Sequence, residues 1–123
     1  MQGKKILSLW SLFSFMNVLT YKTTKKYEII DITKDVADTV CTSKIKKGIC
    51  VVYTPHAIAA IIINENWDDS VQDDFLSYLN QSIPEGKWKH DQQDENGTSH
   101  VKAALVGPSK SIIVTEGKMM LGR

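Results

Sequence analysis

The spacing of apolar positions changes several times along the chain, and each change marks a predicted element. Residues 25–32 mix β-branched and aromatic side chains with charges and predict a strand that could reach back to Val18. A four-residue spacing follows, with Val36 and Val40 on one helical face. Thr33 is placed to cap this helix, Asp35 and Asp38 come early, Lys44, Lys46 and Lys47 come late, and Gly48 stops it. That order of acid and base suits the helix dipole. Residues 49–54 and 58–64 are short runs rich in Val and Ile, separated by Pro55-His56-Ala57, and predict two largely buried strands.

Ser70 or Asp69 is placed to cap a second helix, in which Val71, Phe75, Leu76, Leu79 and Ile83 form one apolar stripe ended by Pro84. The stripe is core. Residues 85–99 are polar, include Gly86 and Gly97, and predict a loop longer than most connections in compact domains; such loops often carry function. Residues 101–106, 111–115 and 118–121 predict three further strands, the first two separated by the Gly107-Pro108 turn signal. This order predicts an α+β fold, a mostly antiparallel, β-sandwich-like sheet with two helices packed on it.

Length adds that 123 residues make one domain, and 42% hydrophobic with 24% charged residues is an ordinary globular composition. Fifteen Lys and Arg against 14 Asp and Glu give a formal charge of +1, which removes the electrostatic argument for nucleic-acid binding. Small anionic ligands remain open. Residues 1–15 place Lys4 and Lys5 before an apolar run that is shorter than the roughly 20 residues of a membrane span. They read as an N-terminal extension or a leader, with Met16 preferred as the start of the domain, residues 16–123. No membrane partner is expected, and the expected location is cytoplasmic. Cys41 and Cys50 are too few for a disulfide framework and are expected as reduced thiols. The last residues follow an apolar run directly, so the domain is expected to be truncated, with a strand missing and a sheet edge left open.

Candidate chemistry centres on His56, His90 and His100. Three neutral imidazoles around an open position would make a catalytic zinc site; three unrelated hydrogen-bonded side chains are the alternative. Glu65 comes just after Ile61-Ile62-Ile63, and a carboxylate at the end of a buried strand needs a cation, a donor or a raised pKa. Its acidic neighbours Asp68, Asp69, Asp73 and Asp74 suit a helix start. Asp91 could orient the His90 imidazole, or be a solvated loop acid. Ser99, Lys102, Gly107, Ser109 and Lys110 could hold phosphate, although neither GxxxxGK[ST] nor GxGxxG is present.

Four fragments, read together, carry a resemblance: Thr54-Pro55-His56-Ala57-Ile58-Ala59-Ala60, Asn64-Glu65-Asn66 with Asp68 and Asp74, Lys89-His90-Asp91, and residues 99–109 from Ser99-His100-Val101-Lys102 to Gly107-Pro108-Ser109. In order and spacing, across residues 18–122, the chain resembles the secondary thiamine-phosphate synthase family. The resemblance implies a sandwich-like fold, a homotrimer whose subunit boundaries shape the pockets, and a divalent metal, zinc or magnesium, at His56, His90 and His100. It implies a transferase that joins hydroxymethylpyrimidine diphosphate to thiazole phosphate and releases pyrophosphate. Glu65, His56 and His100 would be catalytic, while Lys102, Ser109 and Asn64 would bind the small phosphorylated ligand. Ala57 and Ile58 stand where the family has hydroxyl residues, and Gly122-Arg123 stands where it continues with Thr-Trp-Gln. Both departures suit lowered activity, or a non-catalytic trimer of the same fold that binds metal or anions.

Overall fold

Strands β1 (Lys47–Tyr53) and β2 (Ser109–Thr115) pair antiparallel along their whole length, Lys47 opposite Thr115 and Tyr53 opposite Ser109. Alternate residues of a strand face opposite ways. Cys50, Val52, Ile112 and Val114 are the more buried positions, while Ile49, Val51, Tyr53 and Ile113 are exposed. Strand β3 (Lys118–Met119) continues the sheet in the order β1-β2-β3. The connection is Glu116-Gly117, with φ of 51° and 75°. Two consecutive positive φ angles are the tight-hairpin geometry whose twist matches that of the strands. The structure, a computed structural model, describes residues 15–122, so readings of residues 1–14 lie outside the described residues.

Four helices accompany the sheet: α1 (Thr33–Ser43), α2 (Asp69–Ser82), the single turn α3 (Asp91–Asp94), and α4 (Gly97–Val106). The core gathers Val36 and Val40 of α1, Leu79 of α2 with Ile83 just beyond it, Ala103 of α4, and Ile112 and Val114 of β2. Both anticipated stripes, Val36/Val40 and Leu79/Ile83, reach it.

The fold is α+β, and among the described residues the sheet is single and three-stranded. Two helices were expected, and the described residues form four. Residues 25–32 form no strand: Glu28 accepts from the Thr24 amide and hydroxyl, and the Tyr27 hydroxyl goes to Glu85. Residues 58–64 form no strand; Ile61 N–H donates to the C=O of Gly107, two residues before β2, at 3.1 Å. Pro108, lacking an N–H, cannot extend the ladder in that direction.

Residues 101–106 are helix, not strand. The inward face of α4 includes Thr98, Lys102 and Ala103, polar or small side chains that hide a helical period from a count of apolar ones. Gly107, at φ 91° and ψ 154°, turns the chain from α4 into β2, a conformation in which a side chain would be strained.

Helix ends also differ from expectation. The acceptor at the start of α1 is Asp31, whose Oδ1 takes Thr33 N–H at 2.9 Å, and the cap of α2 is Asp68, whose Oδ1 takes Ser70 N–H at 2.9 Å. Helix α1 stops at Lys44 in the left-handed region, so Lys44, Lys46 and Lys47 lie past it. No helix among the described residues is long and apolar enough to cross a membrane. Cys41 and Cys50 are free thiols, and burial pushes that of Cys50 up.

Candidate functional site

The elbow between α3 and α4 is built by Asp91. One of its oxygens accepts Trp88 N–H at 3.0 Å and the other accepts Gly97 N–H at 2.8 Å, so one carboxylate ties the entry of α3 to the first turn of α4. Of the two readings left open for Asp91, an imidazole-orienting group or a solvated loop acid, neither describes it: both oxygens accept backbone N–H groups and the residue is half-buried. Trp88 Nε1 and the Thr98 hydroxyl both donate to Pro84 C=O, at 2.8 Å and 3.3 Å. A Cβ at position 97 would lie 2.6 Å from Trp88 Cβ, so the elbow closes only over glycine.

This elbow sets the His90 and His100 rings edge to face, centroids 4.8 Å apart at 86°. His90 Nε2 is 3.6 Å from an Asp94 oxygen, too far for a hydrogen bond, and is buried without a partner, as is Asn96 Oδ1.

His56 does not join them in a ligand set. It occupies the exposed loop after β1, where its Nδ1 accepts Ile58 N–H at 3.2 Å. Among the described residues, no group of three His, Cys, Asp or Glu side chains could hold a metal ion. The convergence of His56, His90 and His100 is corrected to a pair, and the donor set for zinc or magnesium does not fit within one chain.

Glu65 is exposed, and its Oε1 accepts the N–H groups of Trp67 and Asp68, both at 3.0 Å. The premise of a buried carboxylate falls; it organises the turn into α2. Asn64 likewise spends its oxygen on Glu65 N–H at 2.9 Å. With Asp31, Asn66 and Gln72, these two line a shallow cleft of about 80 Å³. Asp31 binds Asn66 Nδ2 at 2.9 Å. Its carboxyl is held below the usual range chiefly by the side-chain and backbone bonds of Thr33, with Asn66 adding to them.

The residues expected to hold phosphate separate into two places. Ser109 and Lys110 open β2 beside the His56 loop, where Thr54 N–H donates to Pro108 C=O at 2.9 Å and Lys110 Nζ to Val106 C=O at 3.0 Å. Lys102 instead points inward, 8% exposed. Its Nζ donates to Asn80 Oδ1 and lies 3.6 Å from the centroid of the Tyr27 ring. Burial pushes the Lys102 pKa down, against the pull of Glu85. The Tyr27 hydroxyl donates to Glu85 at 2.8 Å, and Lys26 pairs with the same carboxylate at 2.7 Å. Tyr27, Asn80 and Glu85 carried no signal in the sequence: each comes from a different segment, and Tyr27 sat in an expected strand.

A second cleft, about 320 Å³ and mostly apolar, opens between α2 and α4 along Ile62, Phe75, Tyr78, Leu105 and Lys110.

Comparison with known proteins changes the family expected above. A UPF0047 protein of Methanocaldococcus jannaschii is 43% identical over 101 residues, covering 82% of this chain and 72% of that one. The UPF0047 protein YugU of Bacillus subtilis is 36% identical over 110 residues, covering 87% and 81%. Among solved structures, a YbjQ-like protein of unknown function from Sulfolobus solfataricus superposes with a TM-score of 0.80 at 34% identity, covering 83% of this chain and 74% of that one. An uncharacterised conserved protein of the YjbQ/UPF0047 family from Clostridium acetobutylicum gives 0.79 at 40% identity, covering 84% and 79%. None of these descriptions states an activity. The expectations of a secondary thiamine-phosphate synthase, a transferase of thiamine biosynthesis and a metal-binding protein are corrected accordingly. The matching family model, described as UPF0047 protein YjbQ-like, spans residues 17–123, and the chain belongs to that family.

Proposed function

We propose that this protein self-associates, as a homotrimer, and holds a small phosphorylated ligand at the loop ends beside the contact. The observation that carries the reading is the outward face of the sheet. Ile49, Val51, Tyr53 and Ile113 are 71%, 61%, 61% and 61% exposed, and Ile49 and Ile113 are directly paired. Contiguous apolar surface on a strand pair is a liability in a free monomer and an ordinary feature of an interface.

A different apolar surface lies along α2 and α4, with Tyr78 at 64% and Leu105 at 68% exposed beside the larger cleft. Two unlike surfaces suit a head-to-tail contact that closes into a ring, as in a trimer. The neighbouring copy then supplies the second layer of the sandwich-like expectation. Around the Tyr53 end of the sheet, Ser109 and His56 supply a hydroxyl and an imidazole, and Lys110, which faces the cleft side of β2, supplies an ammonium; these are donors suited to phosphate oxygens.

Light scattering on the eluting protein tests the association, with Val51→Lys as the variant. The expected result is a trimer that falls to monomer in the variant. A wild-type protein that stays monomeric at concentrations near 100 µM overturns the reading. Calorimetry with pyrophosphate tests the ligand: Lys110→Met should weaken binding several-fold, and unchanged binding removes this site.

A further inference from the structure

We propose that Trp67 anchors the association of this protein by inserting its indole into the apolar cleft between α2 and α4 of a neighbouring copy. The inference rests on the self-association proposed above and names the side chain that fills the cleft. Tryptophan is on average well buried in folded proteins. Trp67 is instead 95% exposed, the most exposed large apolar side chain among the described residues. The turn that carries it is fixed at several points. Glu65 Oε1 accepts Trp67 N–H and Asp68 N–H, both at 3.0 Å, Asn66 Nδ2 donates to Asp31 at 2.9 Å, and Asp68 Oδ1 accepts Ser70 N–H at the start of α2. None of these bonds uses the indole. The turn therefore holds a large ring in solvent at a set position, and a preorganised group loses less freedom when it binds. Tryptophan is also prominent among the residues that carry interface energy.

The same chain carries a matching recess. The cleft of about 320 Å³ has room for one bicyclic ring, and Phe75, Tyr78 and Leu105 give it an apolar lining. Trp67 does not line the cleft of its own chain, so ring and recess are joined between copies and not within one. The entering ring covers Tyr78 and Leu105, which are otherwise open to solvent. A buried indole N–H needs an acceptor, and Tyr78 brings a hydroxyl. Charge complements shape. Among the described residues that line the cleft, Lys110 alone is charged, whereas Trp67 is flanked in sequence by Glu65, Asp68 and Asp69. Docking brings those carboxylates toward the ammonium, which also suits the face of an indole. Each copy gives one ring and receives one, so a head-to-tail ring of copies fills every cleft.

The test combines light scattering with fluorine NMR of the full chain labelled with 5-fluorotryptophan, the Trp67 resonance being the one lost in Trp67→Phe. In the associated protein that resonance should lose the solvent isotope shift, between water and deuterium oxide, of an exposed ring. Trp67→Ala removes an exposed side chain and keeps its backbone bond to Glu65, so the monomer should fold unchanged while association weakens by about tenfold or more. Leu105→Ala should weaken association several-fold, and the double variant should be no worse than Trp67→Ala alone, because both changes remove one contact. Association of Val51→Lys together with a monomeric Trp67→Ala would support this contact and overturn the sheet-face one. A wild type that remains monomeric near about 100 µM overturns both. An associated wild type whose Trp67 fluorine stays exposed, or a Trp67→Ala that associates like the parent, overturns this inference alone and leaves the cleft to side chains of the sheet face.

Discussion

Gly97 is held by its surroundings, not by an unusual backbone angle. It occupies the first turn of α4, where alanine would gain up to about 1 kcal/mol in helix propensity. The added methyl, however, would stand 2.6 Å from Trp88 Cβ and 2.7 Å from an Asp91 oxygen, and Asp91 is the group that joins the two helices. Overpacking of a site with little freedom to shift costs about 1–3 kcal/mol and outweighs the propensity gain. Gly97→Ala should therefore lower stability by roughly that amount in urea unfolding, and an equal or higher midpoint would show that Trp88 can move. At this scale the sequence was partly legible. Asp91 stood out as a possible orienting group, but whether it held a ring or backbone depended on how far away Gly97 folds. Glu65 misled because the isoleucine run before it suggested burial, whereas the chain comes out to the surface at Ile63, which is 48% exposed.

Among the elements, α1 and α2 begin on carboxylates that accept backbone N–H groups, Asp31 for Thr33 and Asp68 for Ser70. In each case bonds from Thr33 or Ser70 hold the carboxyl below its ordinary value of 3.8. A carboxyl whose folded value is depressed contributes fully above its unfolded value and loses that contribution as pH falls through the folded one. Helix starts should accordingly weaken below about pH 4. Circular dichroism through that range should show a flatter acid limb for Asp31→Asn with Asp68→Asn than for the parent chain, since the amide still accepts a bond and no longer titrates. An unchanged limb would place the acid sensitivity elsewhere. The existence of α1 and α2 was legible because apolar residues mark their inward faces. Helix α4 was not, because its inward face includes Thr98, Lys102 and Ala103, and a buried lysine under an aromatic ring has no counterpart in a hydropathy pattern.

For the whole molecule, the informative mismatch is between pattern and burial. Residues 49–53 run Ile-Cys-Val-Val-Tyr without a polar interruption, which is the pattern of a strand covered on both faces. In the described chain the inner face of β1 is partly covered, and Ile49, Val51 and Tyr53 are open. The pattern and the burial agree only if another surface covers the outer face. Covering it with another copy makes stability depend on concentration, because association draws the folded state forward by mass action. The thermal midpoint should therefore rise as protein concentration is raised from about 1 to about 100 µM, by several degrees if association is tight across that range. Val51→Lys, which sets a charge in the middle of the face opposite Ser111, should unfold at a lower temperature with no such dependence. Its substitution is exposed, so the folded monomer loses little packing and the comparison isolates the contact. If the wild-type midpoint is independent of concentration and coincides with that of the variant, the outer face is not a site of self-association, and its apolar run needs another cover.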